Sequence, residues 1–537
     1  MNRKRFIFVF AGAGAALIAG GTWFLRNVKN MVKGRMVEDH SSSGHLLREG
    51  KFPEPSVELK EKIVIAGGGI AGLSAARYLE RHSMSDYRLL ELADEFGGNA
   101  VSGKNRISAY PWAAHYIPVP NNNQKDLLDF LEEHRVIIGY SPEGLPVYNE
   151  LNLCYYPEER LYLNGYWQEG LIPRFGLPKA DLADIDRFLH LMDDFRAAKG
   201  SDGKEAFAIP AAESSIDPGF TKFDQQTMKE FLLDRQFHSE YLHWYIDYCC
   251  RDDFGTRYDE ASAWAGIHYF AGRKGKGANA EHHDVLTWPE GNAWLAKCLM
   301  SDIPENKRTS SSVVYHIEPT TTGVTILYYD STAKQSVRIT AEKIILCTPQ
   351  FISKRLLAHE RNERMHSFTY SPWMVANITL NNPGESHGMP LSWDNVIYGS
   401  SSLGYVNACH QHMLQAEKMK VWTYYLPLCT DTPDIERIHA HSRSHADWID
   451  MIVQDLKRTQ PDIDTYIESI DVRLWGHAMI RTVKSFLFSE EKKNAAVPIE
   501  NKIFFAHSDL SGFSIFEEAF YHGQRAAKEL IESTCTS

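Results

Sequence analysis

The sequence has no C-x-x-C pair. Its eight cysteines (Cys154, Cys249, Cys250, Cys298, Cys347, Cys409, Cys429 and Cys535) are scattered through mostly apolar stretches. Zinc and iron–sulfur centres built on that spacing therefore have no support, and no disulfide framework can be read. A long basic tract is missing too. With 57 Lys and Arg against 69 Asp and Glu, the net charge of −12 argues against nucleic acid as a partner. That balance is compatible with a cationic small molecule. Charge is absent from residues 6–25, and lysine is absent from residues 370–380. The remainder, 43% hydrophobic and 23% charged over 537 residues, is a globular composition long enough for more than one domain.

The uncharged stretch follows Asn2-Arg3-Lys4-Arg5. Twenty helical residues would cover about 30 Å, the thickness of a bilayer core. Arg3-Lys4-Arg5-Phe6-Ile7 also resembles a twin-arginine export signal with lysine in the second basic position. No small-x-small cleavage site follows, and Arg26, Lys29, Lys33 and Arg35 lie beyond the run, so flanking charge does not fix an orientation. Residues 1–30 read as an anchor or a poorly cleaved signal that forms a hydrophobic helix. The expectation is membrane association through residues 6–25 and a bacterial protein that is membrane-anchored or exported to the periplasmic side. Residues 31–59, polar, with Ser41-Ser42-Ser43 and two prolines, read as a linker.

Residues 62–98 organise the rest. The apolar run Ile63-Val64-Ile65-Ala66 suits a buried parallel strand. Gly67, Gly69 and Gly72 follow at G-x-G-x-x-G spacing, with Ile70 and Ala71 between the last two. Leu73, Ala76, Tyr78 and Leu79 then give a helical face, and a second apolar run ends on Glu91, 19 residues after Gly72. Strand, glycine turn, helix, strand and acid make a nucleotide-binding βαβ unit. Gly67 permits the sharp turn, Gly69 lets a pyrophosphate approach the backbone, and Gly72 lets the helix pack on the strand. The helix N-terminus favours phosphate, and Glu91 is placed to accept ribose hydroxyls.

Asp94-Glu95-Phe96-Gly97-Gly98 comes directly after Glu91. An acid and then a Gly-Gly pair just past the second strand resembles the FAD signature of the flavin amine oxidase, phytoene desaturase and protoporphyrinogen oxidase superfamily. In that superfamily the second glycine pair also approaches the pyrophosphate. Asn99 stands where arginine usually follows. Two later segments match in order. Thr287-Trp288-Pro289-Glu290-Gly291-Asn292-Ala293-Trp294-Leu295 resembles the segment that leads back into the FAD domain, with Asn292 in place of a glycine. After it, Val313 or Val314 would meet adenine through the main chain. The closing strand, residues 502–509, carries His507 where glycine is usual and Asp509 where one variant of the motif has its acid. Phe516 opens the helix that follows.

The resemblance implies FAD, a hydride passing from substrate to flavin N5, and a segment beside the flavin ring at Trp112, Ala113, Ala114 and His115. Trp112, His115 and His477 are the weak catalytic candidates; no metal is expected. Amine oxidases of the superfamily commonly carry a lysine near flavin N5. Here Met374 and Val375 hold the corresponding place. Asp252 and Asp253, beside Arg251, read as a structural ion-pair and helix-capping cluster rather than as catalytic carboxylates. No cysteine lies between positions 471 and 520, so FAD is expected to be non-covalent.

The expected fold is α/β. A Rossmann-like FAD-binding domain from residues 60–115, 285–360 and 490–535 is interleaved with a substrate domain of mixed sheet and helices from 116–284 and 361–489. Residues 124–245 read as a mostly helical insertion. The implied activity is that of an amine-oxidase-like, FAD-dependent oxidoreductase acting on a small-molecule substrate. The alternatives are a phytoene-type desaturase on an apolar substrate and a membrane-tethered flavoprotein subunit of a larger assembly.

Overall fold

The run Ile63-Val64-Ile65-Ala66 forms the inner end of a strand, Pro55–Ala66, whose outer half alternates between partly buried and exposed positions. One-sided burial thus gives way to burial on both faces where the strand enters the molecule. In this computed structural model, which describes residues 32–38, 41–357, 367–384, 386–412 and 418–535, that strand is central to a seven-stranded sheet. It is parallel to Tyr87–Leu90 on one side and Gln335–Leu346 on the other. Arg308–Thr309 extends the first edge, and Ile503–Phe505 joins the inner end of Gln335–Leu346, both in parallel. The outer half of Gln335–Leu346 turns back antiparallel through Val324–Asp330 and Ser312–Pro319.

Strands buried on both faces need helices to cover them. Helices Ile70–Arg81, Ala293–Ser301 and Phe516–Cys535 cover one face, and Ile63, Ile65, Leu73, Leu79, Leu295, Leu299 and Leu530 share their core. The last helix lies directly on the first. Ser74 Oγ donates to the carbonyl of Phe520 at 2.8 Å. A Cβ at Gly523 would stand 2.2 Å from the carbonyl oxygen of Ala71.

The second large sheet has eight strands among the described residues, running Met36–Val37, Ile467–Ile480, Tyr370–Asn381, Met419–Pro427, Tyr405–Asn407, Asp394–Ile397, Glu159–Leu163 and Tyr166–Glu169. Along Tyr370–Asn381 the period of two divides the side chains. Met374, Ala376, Ile378 and Leu380 pack outward into a core closed by helix His445–Leu456. Trp373 and Val375 face an internal cavity. Tyr370–Asn381 pairs antiparallel with both of its neighbours, whereas Asp394–Ile397 runs parallel to Glu159–Leu163.

Two expectations need correction. Residues 31–59 are not a plain linker: Met36–Val37 pairs with Ile467–Ile480, Ser41–Glu49 is helical and the central strand already begins at Pro55. The 124–245 insertion is not mostly helical at its start. Glu159–Leu163 and Tyr166–Glu169 form a hairpin of the second sheet, turning at Asn164 (φ 53°) and Gly165 (φ 81°). Asn-Gly with both φ positive is the two-residue turn that matches strand twist, and it overrides the helical signals around it. The N-terminal hydrophobic helix lies outside the described residues.

The helix-on-helix contact gives a test. Gly523→Ala should lower the unfolding free energy by about 1–3 kcal/mol, the usual cost of overpacking. Gly139→Ala, where an added Cβ meets nothing within 4 Å, should leave the denaturant midpoint nearly unchanged.

Candidate active site

The glycine turn is built by contacts that leave no room for side chains. Gly67 has φ +109°, and a Cβ on Gly72 would lie 1.8 Å from the Gly67 carbonyl oxygen. Gly69 is the N-cap of helix Ile70–Arg81, and no side chain caps that end, so its first-turn N–H groups face a cavity. The second glycine pair lies against the first. Gly97 N donates to the Gly68 carbonyl at 2.9 Å, and a Cβ on Gly98 would come within 3.2 Å of Gly69 Cα. The two segments form a bare backbone floor beneath a cavity lined also by Ile70, Ala71, Glu91, Ser312 and Val314.

Glu91 fastens this floor. Its carboxylate accepts Gly68 N–H at 2.6 Å and Ala93 N–H at 2.9 Å. At the opposite wall Asp509, 1% exposed, accepts Gln350 N–H at 2.9 Å and the Tyr370 hydroxyl at 2.5 Å. Burial alone would raise its pKa, but His507, Tyr370 and Gln350 outweigh that and hold it below the usual carboxylate range.

This cavity meets a second one. Asn99, Ala114, Asn292, Ala478, Ser514, Ile515 and Phe516 border both. Asn292 carries the junction: its N–H binds the Ala114 carbonyl at 3.0 Å and its Nδ2 binds the Tyr116 carbonyl at 2.9 Å. Its Oδ1 is buried without a hydrogen-bond partner. Ala114 is exposed to the cavity. A side-chain-free floor at a helix N-terminus, an acid at ribose spacing, a continuous cavity and an orphaned acceptor at the junction fit a dinucleotide with a flat ring. Gly67, Gly69, Ile70, Ala71, Gly72, Gly97, Gly98 and Asn99 would hold the pyrophosphate end, and Asn292, Ala114 and Phe516 the ring end.

The second cavity has a charged wall and an aromatic one. Glu159 comes from the Asn-Gly hairpin, Asp252 and Asp253 from helix Glu240–Phe254, and Asp394 from the strand paired with Glu159. Arg273 binds Asp253 at 3.1 Å and is the only Lys or Arg among the lining residues described. Each carboxyl opens partly onto the cavity while protein encloses it. Burial, then Glu158, pushes Glu159 up to about 7. Burial, then Glu159 and Asp252, holds Asp394 well above the carboxylate range, and Asp252 is raised by burial and by Asp253. Glu517, in the first turn of the last helix, is raised to about 7, mainly by burial. Tyr116, Tyr248, Tyr269, Trp393 and Tyr425 make up the aromatic side.

Several expected positions move. Trp112 does not reach either cavity: it is 5% exposed, packs edge-on against Tyr110, and its carbonyl accepts the Trp475 indole N–H at 2.8 Å. His115 lines the substrate cavity, stacked on Tyr425 at 4.8 Å, and burial pushes its pKa down to about 4, so it is neutral there. His477 lines the dinucleotide cavity instead, stacked on Phe351 at 4.3 Å. Of the two valines, Val314 and its neighbour Ser312 border the cavity while Val313 turns away, as strand alternation requires. The same alternation removes Met374 from the site and leaves Val375 in it. Asp252 and Asp253 are cavity carboxylates rather than a helix cap; Gly255, with φ 53°, closes that helix, and Arg251 pairs with Asp247. Glu159, Arg273, Asp394 and Glu517 were not singled out by the sequence.

A family model for an NAD(P)-binding Rossmann-like domain matches residues 65–133. Over 165 residues the chain is 30% identical to "Probable oxidoreductase OrdL" of Rhizobium meliloti (strain 1021), covering 27% of this chain and 36% of that protein, so the match spans about a third of the curated relative. Among solved structures, a putrescine oxidase bound to putrescine aligns with a TM-score of 0.63 at 15% identity, over 88% of this chain and 100% of that one. Cyclohexylamine oxidase from Brevibacterium oxydans IH-35A aligns with a TM-score of 0.62 at 13% identity, over 88% and 99%. At these identities the likeness is one of fold. Residues 65–133 match an NAD(P)-binding Rossmann-like domain, and the chain shares its fold with the putrescine and cyclohexylamine oxidases.

Proposed function

We propose that the protein is a FAD-dependent oxidoreductase that binds and oxidises an amine. The observation that carries this reading is the charge of the substrate cavity: five carboxyls, Glu159, Asp252, Asp253, Asp394 and Glu517, converge with one arginine among the described lining residues. Enclosed negative charge without a partner is costly, and a bound cation relieves it. The facing tyrosines and Trp393 suit an alkylammonium as well, through cation–π attraction. Putrescine and cyclohexylamine oxidases share the fold, which agrees with this substrate class.

Bound FAD would supply the two-electron acceptor. The protein's own part is to orient the amine and receive a proton from it. An ammonium has no free lone pair, and Glu159 and Glu517, both raised to about 7, are wall groups matched to take that proton near neutral pH. Tyr116 and Arg273 keep Asp253 in place, with Arg273 reaching the Tyr116 hydroxyl at 3.3 Å. Among the described residues no cysteine lines the ring end, and Cys347 lies at the glycine turn, which supports a non-covalent cofactor. An apolar desaturase substrate would leave the carboxyl wall uncompensated and is the weaker reading. We further propose residues 6–25 as a membrane anchor or twin-arginine-like export signal. They lie outside the described residues, among which no helix is long and apolar enough to cross a membrane.

Two outcomes follow. In an anaerobic amine panel, at least one alkylamine should bleach the flavin, and Asp394→Asn should raise the KM for that amine by about ten-fold or more, in line with the loss of a charge-assisted contact. No bleaching by any amine would overturn the reading. The second concerns stability. Glu159 rises from its ordinary 4.5 to about 7 in the folded state. Below the lower value both states hold the proton. Between the two values the unfolded chain releases a proton that the folded chain keeps, so stability falls as pH rises through this window and then levels off. Glu159→Gln should flatten that slope in thermal melts, and the amine ligand should raise the wild-type midpoint more above pH 7 than below the window.

A further inference from the structure

We propose that residues 32–38 and 41–52 belong to the dinucleotide site, as a strap that ties the two sheets together across the cavity and retains the cofactor. The inference rests on the FAD reading but concerns a part of the chain outside the glycine and acid motifs.

The strap is anchored at both ends. At the first end it adds an edge to the substrate sheet: Met36 and Val37 pair in parallel with Val472 and Arg473. Ile470 N–H binds the Lys33 carbonyl at 2.8 Å, Val472 N–H binds the Arg35 carbonyl at 2.9 Å, and Arg35 N–H reaches Asp471 Oδ1 at 3.2 Å. Gly34 makes this approach possible. Its φ is +131°, and a Cβ there would stand 1.9 Å from the Ile470 carbonyl oxygen. At the second end Phe52 stacks on Tyr315, with ring centres 4.1 Å apart and planes 8° from parallel. Tyr315 lies on strand Ser312–Pro319, whose Ser312 and Val314 border the dinucleotide cavity.

Between the anchors, helix Ser41–Glu49 packs against that strand and places Leu47 in the cavity wall, where Ile352, Leu356 and His477 also lie. Arg48, hydrogen-bonded to His45 at 3.1 Å, stands close enough to His477 for its charge to help hold that imidazole neutral, after burial and Arg437. The segment thus brings an apolar cover to a cavity whose second glycine pair is followed by Asn99 rather than a cation. A dinucleotide along the glycine floor is the ligand that such a cover would retain.

The test uses the full chain loaded with FAD, with flavin release after dilution followed by its fluorescence. Gly34→Val, which unseats the first anchor, and Leu47→Asp, which puts a like charge against the ligand, should each release flavin about ten-fold or more faster than wild type, the scale expected for losing one buried aliphatic contact. Their circular dichroism should match wild type. If Gly34→Val does not fold, Leu47→Asp decides, since its change is confined to the strap helix. As a second readout, FAD should slow tryptic cleavage after Arg48 and Lys51. Wild-type and variant release rates within two-fold of each other, with cleavage indifferent to FAD, would overturn the strap while leaving the FAD reading intact. A wild-type protein that takes up no flavin would overturn both.

Discussion

The first strand and the first helix of the cofactor unit meet with no space for a side chain. Gly72 lies so close to the Gly67 carbonyl that a Cβ would stand 1.8 Å from it. That contact sets where the helix starts, and so where its uncapped N–H groups point. Glu91 then secures the turn by accepting Gly68 N–H, and Gly97-Gly98 can lie flat against Gly69 because neither segment carries a side chain. Move the helix outward by the width of a methyl group and the floor opens, the acid loses its donor, and the last helix loses its seat on Ala71 and Ser74.

The other half of the site depends on a different constraint, the cost of enclosing like charges. Strand pairing places Asp394 directly beside Glu159, and helix Glu240–Phe254 adds Asp252 and Asp253. One arginine cannot neutralise them, so the cavity either keeps protons or accepts a cation. The junction at Ala114 and Asn292 joins this wall to the dinucleotide cavity, which places the charged wall beyond the ring end of the cofactor site. On the proposed reading, binding energy for an amine and proximity to an electron acceptor would come from one continuous space.

The glycine floor was legible in the sequence because its determinants are local. Three glycines, an acid 19 residues on and a second glycine pair fall within 62–98, and their spacing states the geometry. The carboxyl wall was only partly legible: Asp252 and Asp253 stand out together in the sequence, but Glu159, Arg273 and Asp394 are carried by separate segments that meet only in the fold. A useful local signal was present at Asn164-Gly165, whose hairpin sets the face on which Glu159 lies. On strand Tyr370–Asn381 a shift of one residue separates Met374 in the outer core from Val375 in the cavity, and composition cannot resolve that register. Trp112 shows the same limit: its neighbours Ala113 and Ala114 face the cavity while its ring fills the core.

The strap of residues 32–38 and 41–52 and the role proposed for the Asn292 junction both assume a flavin dinucleotide in the cavity. The most direct measurement is the visible spectrum of the purified full-length protein, before and after mild denaturation. The account predicts a flavin spectrum in the native protein and free FAD in solution once it unfolds. A colourless protein would contradict the cofactor assignment, and flavin that stays with the precipitated chain would contradict non-covalent binding.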